Sequence, residues 1–268
     1  MPELPEVETV ARQLAPLVRG RHVRGLEVFD PRLHPERCPP IGGFRVADVY
    51  RGGKQVLFEL RPPRPGAPLW LAVHLRMTGR LIWTAARQRA PREHVRARLA
   101  LRGGSVSLVD PRRFGTFTWL ADPGGASTGI DPTGPAFTRA VLTDLLTGSR
   151  QPMKPWLLRQ DRLVGIGNIY ASEILHRARI SPLRPANTLN EREIGRLHAS
   201  IRHILARAIE CCGTTFSDFQ DARGEQGGFQ KFLAVYEREG KPCRRCRTPI
   251  RRLVQQQRST YYCPTCAR

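Results

Sequence analysis

Cys243-x-x-Cys246 and Cys263-x-x-Cys266 stand sixteen residues apart near the end of the chain. Two thiol pairs at that spacing close economically in one way: two knuckles joined by a hairpin around a metal. Four thiolates leave no open coordination position, so a single structural zinc ion (Zn2+) is expected. Cys38, Cys211 and Cys212 fall outside the pattern and read as packed thiols. The start of the chain has none of the marks of a secretory leader. That favours metal thiolates over disulfides, in a cytoplasmic setting.

Charge indicates what this finger meets. The chain carries 44 Lys+Arg against 23 Asp+Glu, a formal +21. From Lys241 onward there are eight basic residues and no acid. A solvated basic face is the ordinary use of such a run. On a metal module in so basic a chain, a polyanion partner is the better reading. No apolar run approaches the ~18 residues of a membrane span. The expectation is a soluble nucleic-acid-binding protein with no membrane partner.

Patterning divides the chain near residue 135. Val7, Val10, Leu14 and Leu17 form a helical stripe, with Pro5 suited to the first turn and Gly20 to the end. From about residue 22 to 120, short runs are punctuated by Gly and Pro. Val56–Leu60, Leu69–Val73 and Arg96–Leu101 read as strands of a sandwich or barrel. A linker-like stretch, 122–135, follows. Beyond it Ile194, Leu197, Ile201 and Leu205 share a helix face, with Thr188 and Glu191 at capping-box spacing.

The opening Met1-Pro2-Glu3 holds candidate chemistry. Removal of Met1 would leave the secondary amine of Pro2 as the α-amine. Terminal amines titrate near ~8, so a large share is unprotonated at neutral pH. Attack on a sugar aldehyde carbon yields an iminium, an electron sink for breaking neighbouring bonds. Glu3 is the adjacent acid. The same residues would also serve simply to open a helix. A second candidate is Gly165-Ile-Gly-Asn168, a glycine-rich turn feeding a helix whose N–H groups suit a phosphate. A third is lysine usage. Only Lys54, Lys154, Lys231 and Lys241 interrupt the arginines, and guanidinium does not readily release a proton.

In chain order, Pro2-Glu-Leu-Pro-Glu-Val7, Gly53-Lys54, His74-Leu-Arg-Met-Thr-Gly79, Asp110-Pro-Arg-Arg-Phe-Gly115, Gly165-Ile-Gly-Asn-Ile-Tyr-Ala-Ser-Glu173 and the cysteine pairs resemble the formamidopyrimidine-DNA glycosylase family over essentially the whole length. The resemblance implies an α+β fold. A helix and β-sandwich would occupy 1–133, a helix–two-turn–helix domain 134–233, and a zinc-finger β-hairpin 234–268. It implies a monomer acting on damaged double-stranded DNA as a bifunctional glycosylase and apurinic/apyrimidinic lyase.

The same resemblance assigns roles. Pro2 is the nucleophile, Glu3 the acid, Lys54 a proton donor in strand cleavage, and Arg258 a participant in the second elimination. Lys154 and Asn168 hold phosphates, and His94 and Arg113 contact the DNA backbone. Met77, Arg112 and Phe114 fill the gap left by an extruded base, the apolar members acting as a wedge. The stretch from Gly213 to Asp218, continuing to Gly228-Phe229, is similar to a lid closing over the base. Glu237 stands where relatives commonly have glycine, and Arg76 replaces a usual small residue; both bear on substrate preference. Two other readings stay open: an endonuclease VIII-type enzyme for oxidised pyrimidines, which Leu4 disfavours, and a non-catalytic damage-binding zinc protein.

Overall fold

A computed structural model of the chain describes all residues other than 127, 216–221, 223 and 224. The backbone forms two compact units. The first comprises Met1–Ala126 and Cys211–Gly228; the second comprises Ser127–Glu210 and Phe229–Arg268.

The first unit opens with helix α1, Leu4–Val18. Pro5 costs nothing there, because N–H groups of a first turn have no partner within the helix. Glu3 stands at the N-cap, and its backbone N–H donates to the Glu6 carboxylate at 2.8 Å, one half of a capping box. Eight strands follow: β1 Val23–Val28, β2 Arg45–Gly52, β3 Gln55–Arg61, β4 Leu69–His74, β5 Arg80–Ala85, β6 Val95–Leu101, β7 Gly104–Val109 and β8 Thr116–Leu120. They pair into two antiparallel sheets, ordered β1-β6-β7-β5 and β2-β3-β4-β8.

Alternation along the strands sends one set of side chains inward. Val56, Phe58 and Leu60 of β3, Leu71 and Val73 of β4, and Val106 and Leu108 of β7 form a shared core. Val7, Val10, Leu14 and Val18 of α1 pack into it, so the expected helical stripe is the buried face. The sandwich expected from the Gly- and Pro-divided runs is present. The returning segment joins the same unit: Ala222 belongs to the core, and its N–H donates to the Gln13 side chain at 3.0 Å.

The second unit holds α2 Arg139–Leu146, α3 Met153–Leu157, α4 Asn168–Ala178, α5 Glu191–Glu210, and the hairpin of β9 Arg251–Gln255 and β10 Arg258–Tyr262. On α5, Ile194, Leu197, Ile201 and Leu205 are buried, as their spacing requires. The cap of α5 differs from the expected Thr188–Glu191 pair. Asn190 and Glu193 exchange both bonds instead, Asn190 N–H to Glu193 at 2.9 Å and Glu193 N–H to the Asn190 side chain at 3.0 Å. Thr188 is already used, donating to the Pro185 carbonyl at 2.8 Å in the turn before. Two candidate boxes two residues apart compete, and the better N-cap former, Asn, prevails.

Glu173 ties α4 to the approach of the zinc hairpin. Its fully buried carboxylate accepts the N–H groups of Ala234, Val235 and Tyr236 at 2.8–2.9 Å. Burial pushes its pKa up, and the three N–H bonds oppose that rise. Glu173→Gln replaces one acceptor oxygen with a donor facing N–H groups. The expected cost is about 1–3 kcal/mol, the range for stranding a buried polar group, read as a lowered urea midpoint with unchanged slope. An unchanged midpoint would show that this carboxylate does not hold the segment.

Candidate DNA-processing site

Pro2, Glu3 and Glu6 are buried at the head of α1, while Met1 is half exposed. Glu6 is bonded on both sides. One oxygen takes the Glu3 N–H, and the other takes the Thr214 N–H at 2.7 Å. Gly213, at φ +79, makes this approach possible, since a Cβ there would stand 2.6 Å from the Glu6 carboxylate. Gly227 has a similar reason, because its Cβ would meet the Gly213 carbonyl at 2.4 Å. The described residues of the lid-like stretch are therefore shaped around the N-terminus. Residues 216–221, 223 and 224 of that stretch lie outside the described residues.

Lys54 occupies the two-residue turn between β2 and β3, after Gly53 at φ +59. Glycine at the first central position suits such a hairpin. The buried Arg51 side chain braces the turn, reaching Glu8 of α1 at 2.8 Å and the Gly53 carbonyl at 3.2 Å. His74 lies near Lys54. Burial, with Arg76 and Lys54 adding repulsion, pushes its pKa down to about 4. Its Nδ1 accepts the Arg76 N–H at 3.0 Å, so the neutral ring carries its proton on Nε2.

Asp110 is a hub that motif reading passed over. It is fully buried, and its two oxygens accept the N–H groups of Arg112, Phe114 and Gly115 and the Thr78 hydroxyl. Through Thr78 it binds the Met77 turn to the 110–115 turn. Met77 and Phe114 are thereby presented 45% and 46% exposed, unusual for large apolar side chains. The Arg112 guanidinium lies 4.9 Å from the Phe114 ring centre. The three wedge candidates are thus set out together.

His94 is exposed beside the same turn, its carbonyl accepting the Asp110 N–H at 2.9 Å. Arg113 has an internal partner. Its guanidinium makes a bidentate pair with Asp30 at 2.7 and 2.5 Å, and that contact holds the Asp30 carboxyl down at about 2. Arg113 is therefore first a strut, and only its outer edge is available to a phosphate.

In the second unit, Lys154 and Asn168 converge on β10. The Lys154 ammonium donates to the Ser259 carbonyl at 2.7 Å and the Thr260 hydroxyl at 2.8 Å, and the residue is fully buried. Asn168 donates to the same Ser259 carbonyl at 3.1 Å. Arg258, the residue before, is exposed at the start of β10. Gln256 and Gln257, at φ 46 and 60, make the tight turn that precedes it. Lys154 is buried against the hairpin where a direct phosphate contact was expected. Its compact charge shares the Ser259 carbonyl with Asn168 and adds the Thr260 hydroxyl.

The sulfurs of Cys243, Cys246, Cys263 and Cys266 all lie within 4.8 Å of one another. Tetrahedral zinc with Zn–S near ~2.3 Å needs S–S separations of about 3.8 Å. The closest pairs here are 3.4 and 4.0 Å apart, so the four thiols fit one zinc ion. Val235 and Ile250 pack against them, which makes the site a small core as well as a metal site. Among the described residues no helix is long and apolar enough to cross a membrane.

These features combine a four-thiol metal site, a helical unit and a buried Pro2-Glu3 pair at the head of a β-sandwich unit. Residues 1–117 match the model for the formamidopyrimidine-DNA glycosylase N-terminal domain. Residues 128–220 match that for its H2TH domain, and residues 240–268 a zinc finger found in FPG and IleRS. A formamidopyrimidine-DNA glycosylase of Pelotomaculum thermopropionicum is 43% identical, across 99% of both chains. One from Symbiobacterium thermophilum is 42% identical, across 99% of this chain and 89% of that protein. The crystal structure of MutM (Fpg) from Thermus thermophilus superposes with TM-score 0.85 at 40% identity, over 99% of this chain and 98% of that one. The Lactococcus lactis Fpg in complex with DNA containing an abasic site superposes at 0.87 with 32% identity, over 99% of each. The chain belongs to the formamidopyrimidine-DNA glycosylase family, glycosylases of DNA repair.

Because thiolate–zinc binding and folding are coupled, the metal is expected to hold the last ~30 residues. Cys243→Ser should lower zinc below one equivalent per chain and weaken DNA binding at least about tenfold, the two falling together. Metal analysis beside a fluorescence-anisotropy titration checks this. Zinc loss with unchanged affinity would separate the finger from DNA grip.

Proposed function

We propose that the chain is a bifunctional glycosylase and apurinic/apyrimidinic lyase, acting as a monomer on oxidised purines, 8-oxoguanine and formamidopyrimidines, in double-stranded DNA. The target nucleotide leaves the stack at a cost of a few kcal/mol. The Pro2 nitrogen attacks C1′, the C1′–base bond breaks, and the base departs as the sugar ring opens. Glu3 supplies and removes protons in those steps. The resulting iminium acidifies C2′. Loss of that proton expels the 3′ phosphate, and a further elimination, to which Arg258 contributes, expels the 5′ phosphate. Lys54 is the proton donor near the cleaved strand.

The observation that carries this reading is the buried Pro2-Glu3 pair heading α1, locked by Glu6. Binding follows from the remaining groups. The N-terminal end of α4 at Asn168 offers main-chain donors to a phosphate. His94 and the outer edge of Arg113 lie on the rim of the wedge turn, and Met77, Arg112 and Phe114 occupy the vacated stack. Lys154 adds charge from behind β10. A point mutant of the Lactococcus lactis protein crystallised with Fapy-dG-containing DNA supports the substrate class. The wild-type protein was also crystallised with an oxidised pyrimidine, so release from thymine-glycol duplexes is the control for the endonuclease VIII-type alternative.

Chemistry at Pro2 requires removal of Met1. An uncleavable residue placed before Pro2 should abolish borohydride trapping on abasic DNA, whereas Pro2→Gly should retain some. Full trapping by the blocked protein would end the amine mechanism. Glu3→Gln should lose excision of 8-oxoguanine while keeping more activity on a preformed abasic site; equal excision would remove Glu3 as the acid.

Lys54→Arg separates charge from proton transfer. Guanidinium keeps the charge but scarcely releases a proton at neutral pH. DNA affinity and its salt slope should stay near those of the unaltered protein, since phosphate contacts set both. Single-turnover cleavage should fall at least ~10-fold, below the usual contribution of general acid–base groups. Unchanged cleavage would show that Lys54 only neutralises phosphate.

A further inference from the structure

Toward the C-terminal end of α4, α4 and α5 flank a hollow of about 470 Å³, apart from the residues given chemical roles above. Its volume falls in the ~300–1,000 Å³ range of small-molecule sites. His176 and Arg177 come from α4 and Arg207 from α5; Phe232, Arg244 and Arg245 come from the segments leading into the zinc hairpin. His176 lies eight residues beyond Asn168, about 12 Å of helix rise from the phosphate-binding end of α4.

Four guanidiniums face this space; the charge of Arg244 also acts on the Glu173 carboxyl of the same wall. Arg207 pairs with Glu210 at 2.8 Å and lies 5.6 Å from the Phe232 ring centre. Arg244 donates to the Lys231 carbonyl, at 3.0 Å, and forms no ion pair among the described residues. Arg177 and Arg245 likewise have no ion-pair partner among the described residues. The acid on the wall, Glu173, directs its oxygens to main-chain N–H groups. A metal cation is therefore repelled and an anion attracted.

The rest of the wall is rings and small apolar groups: Phe229, Phe232, His176 and His203, with Ile204 and Ala234. Phe232 is 49% exposed, its ring 6.0 Å from that of Phe229. His176 is 7% exposed, and its Nδ1 is buried without a partner, so the accessible edge of the ring carries Nε2. Burial and Arg245 push its pKa down to about 4, leaving a neutral ring that hydrogen-bonds without adding charge. Inorganic phosphate would use the guanidiniums and waste the rings. A planar base joined to a phosphate uses both, since bases stack on aromatic side chains without regard to sequence.

We propose that this hollow is a second nucleotide site, which takes one nucleoside monophosphate unit with its base on Phe232 and its phosphate among Arg177, Arg244 and Arg245. The unit is either a free nucleotide or the phosphorylated end of a single strand. The assignment goes beyond the glycosylase reading, and its test reads binding alone.

The test is calorimetric titration of dGMP into the full-length zinc-loaded protein, free and saturated with an abasic-analogue duplex. One dGMP per chain is expected in both cases, with Kd below about 1 mM. Phe232→Ala, Arg177→Gln with Arg245→Gln, and His176→Phe should each weaken it at least about tenfold, as should removal of the phosphate from the ligand. The first three substitutions are at exposed positions, so unchanged melting temperatures keep the comparison valid if His176→Phe misfolds. A 5′-phosphorylated ten-nucleotide strand that binds the duplex-saturated protein more tightly than dGMP assigns the site to strand ends; weaker binding assigns it to free nucleotide. The proposal fails if neither ligand binds saturably at millimolar concentration, if the exposed-site variants bind equally, or if the duplex displaces dGMP.

Discussion

Buried carboxylates that accept several main-chain N–H groups hold the irregular segments of this molecule. Glu6 takes the N–H groups of Glu3 and Thr214, Asp110 those of Arg112, Phe114 and Gly115, and Glu173 those of residues 234–236. Each carboxyl group replaces lost hydration with two or more bonds from main-chain N–H groups. Each also fixes a loop that has no ladder of its own. The N-terminus, the wedge turn and the approach to the zinc hairpin are the three segments so held, and much of the candidate chemistry resides on the first two.

This use of acids follows from the charge of the chain. With 44 basic residues against 23 acidic ones, nearly half of the cationic side chains have no carboxylate to pair with. A surface of that kind repels itself and gains by meeting a polyanion. Two of the acids that pair with arginine sit where geometry matters. Asp30 orients Arg113 at φ +59, and Glu8 receives the Arg51 that braces the Lys54 turn. Such pairs are partly buried, so salt screens them less than it screens the surface contacts that grip DNA.

Periodicity and spacing made much of this legible. The α1 stripe, the strand runs, the α5 face and the cysteine pairs are short-range patterns, each imposed by one local geometry. The cap of α5 was misplaced by two residues because two polar pairs offered the same spacing, and only Asn190 was uncommitted. Asp110 and Glu173 left weaker traces. An Asp before Pro announces a turn, yet not that the carboxylate collects three N–H groups. Glu173 looks like any helix acid, and its partners lie more than sixty residues away. The return of residues 211–228 to the first unit has no local signature at all. Gly213 and Gly227 read as flexibility, whereas their backbones are needed for close approach.

Lysine usage carries the same lesson in a sharper form. Rarity suggested that Lys54 marks a place where arginine fails, with Lys231 and Lys241 incidental, and proton release was the reason considered. Lys154 meets the criterion for another reason. Its ammonium is enclosed, with a carbonyl and a hydroxyl as acceptors at 2.7 and 2.8 Å. A point charge with three rotatable donors fits two oxygens on adjacent residues of one strand. A planar fork with five donors would need more room than this fully buried position leaves. Residue choice at Lys154 therefore reports the direction of acceptors and the room available, a constraint distinct from acidity.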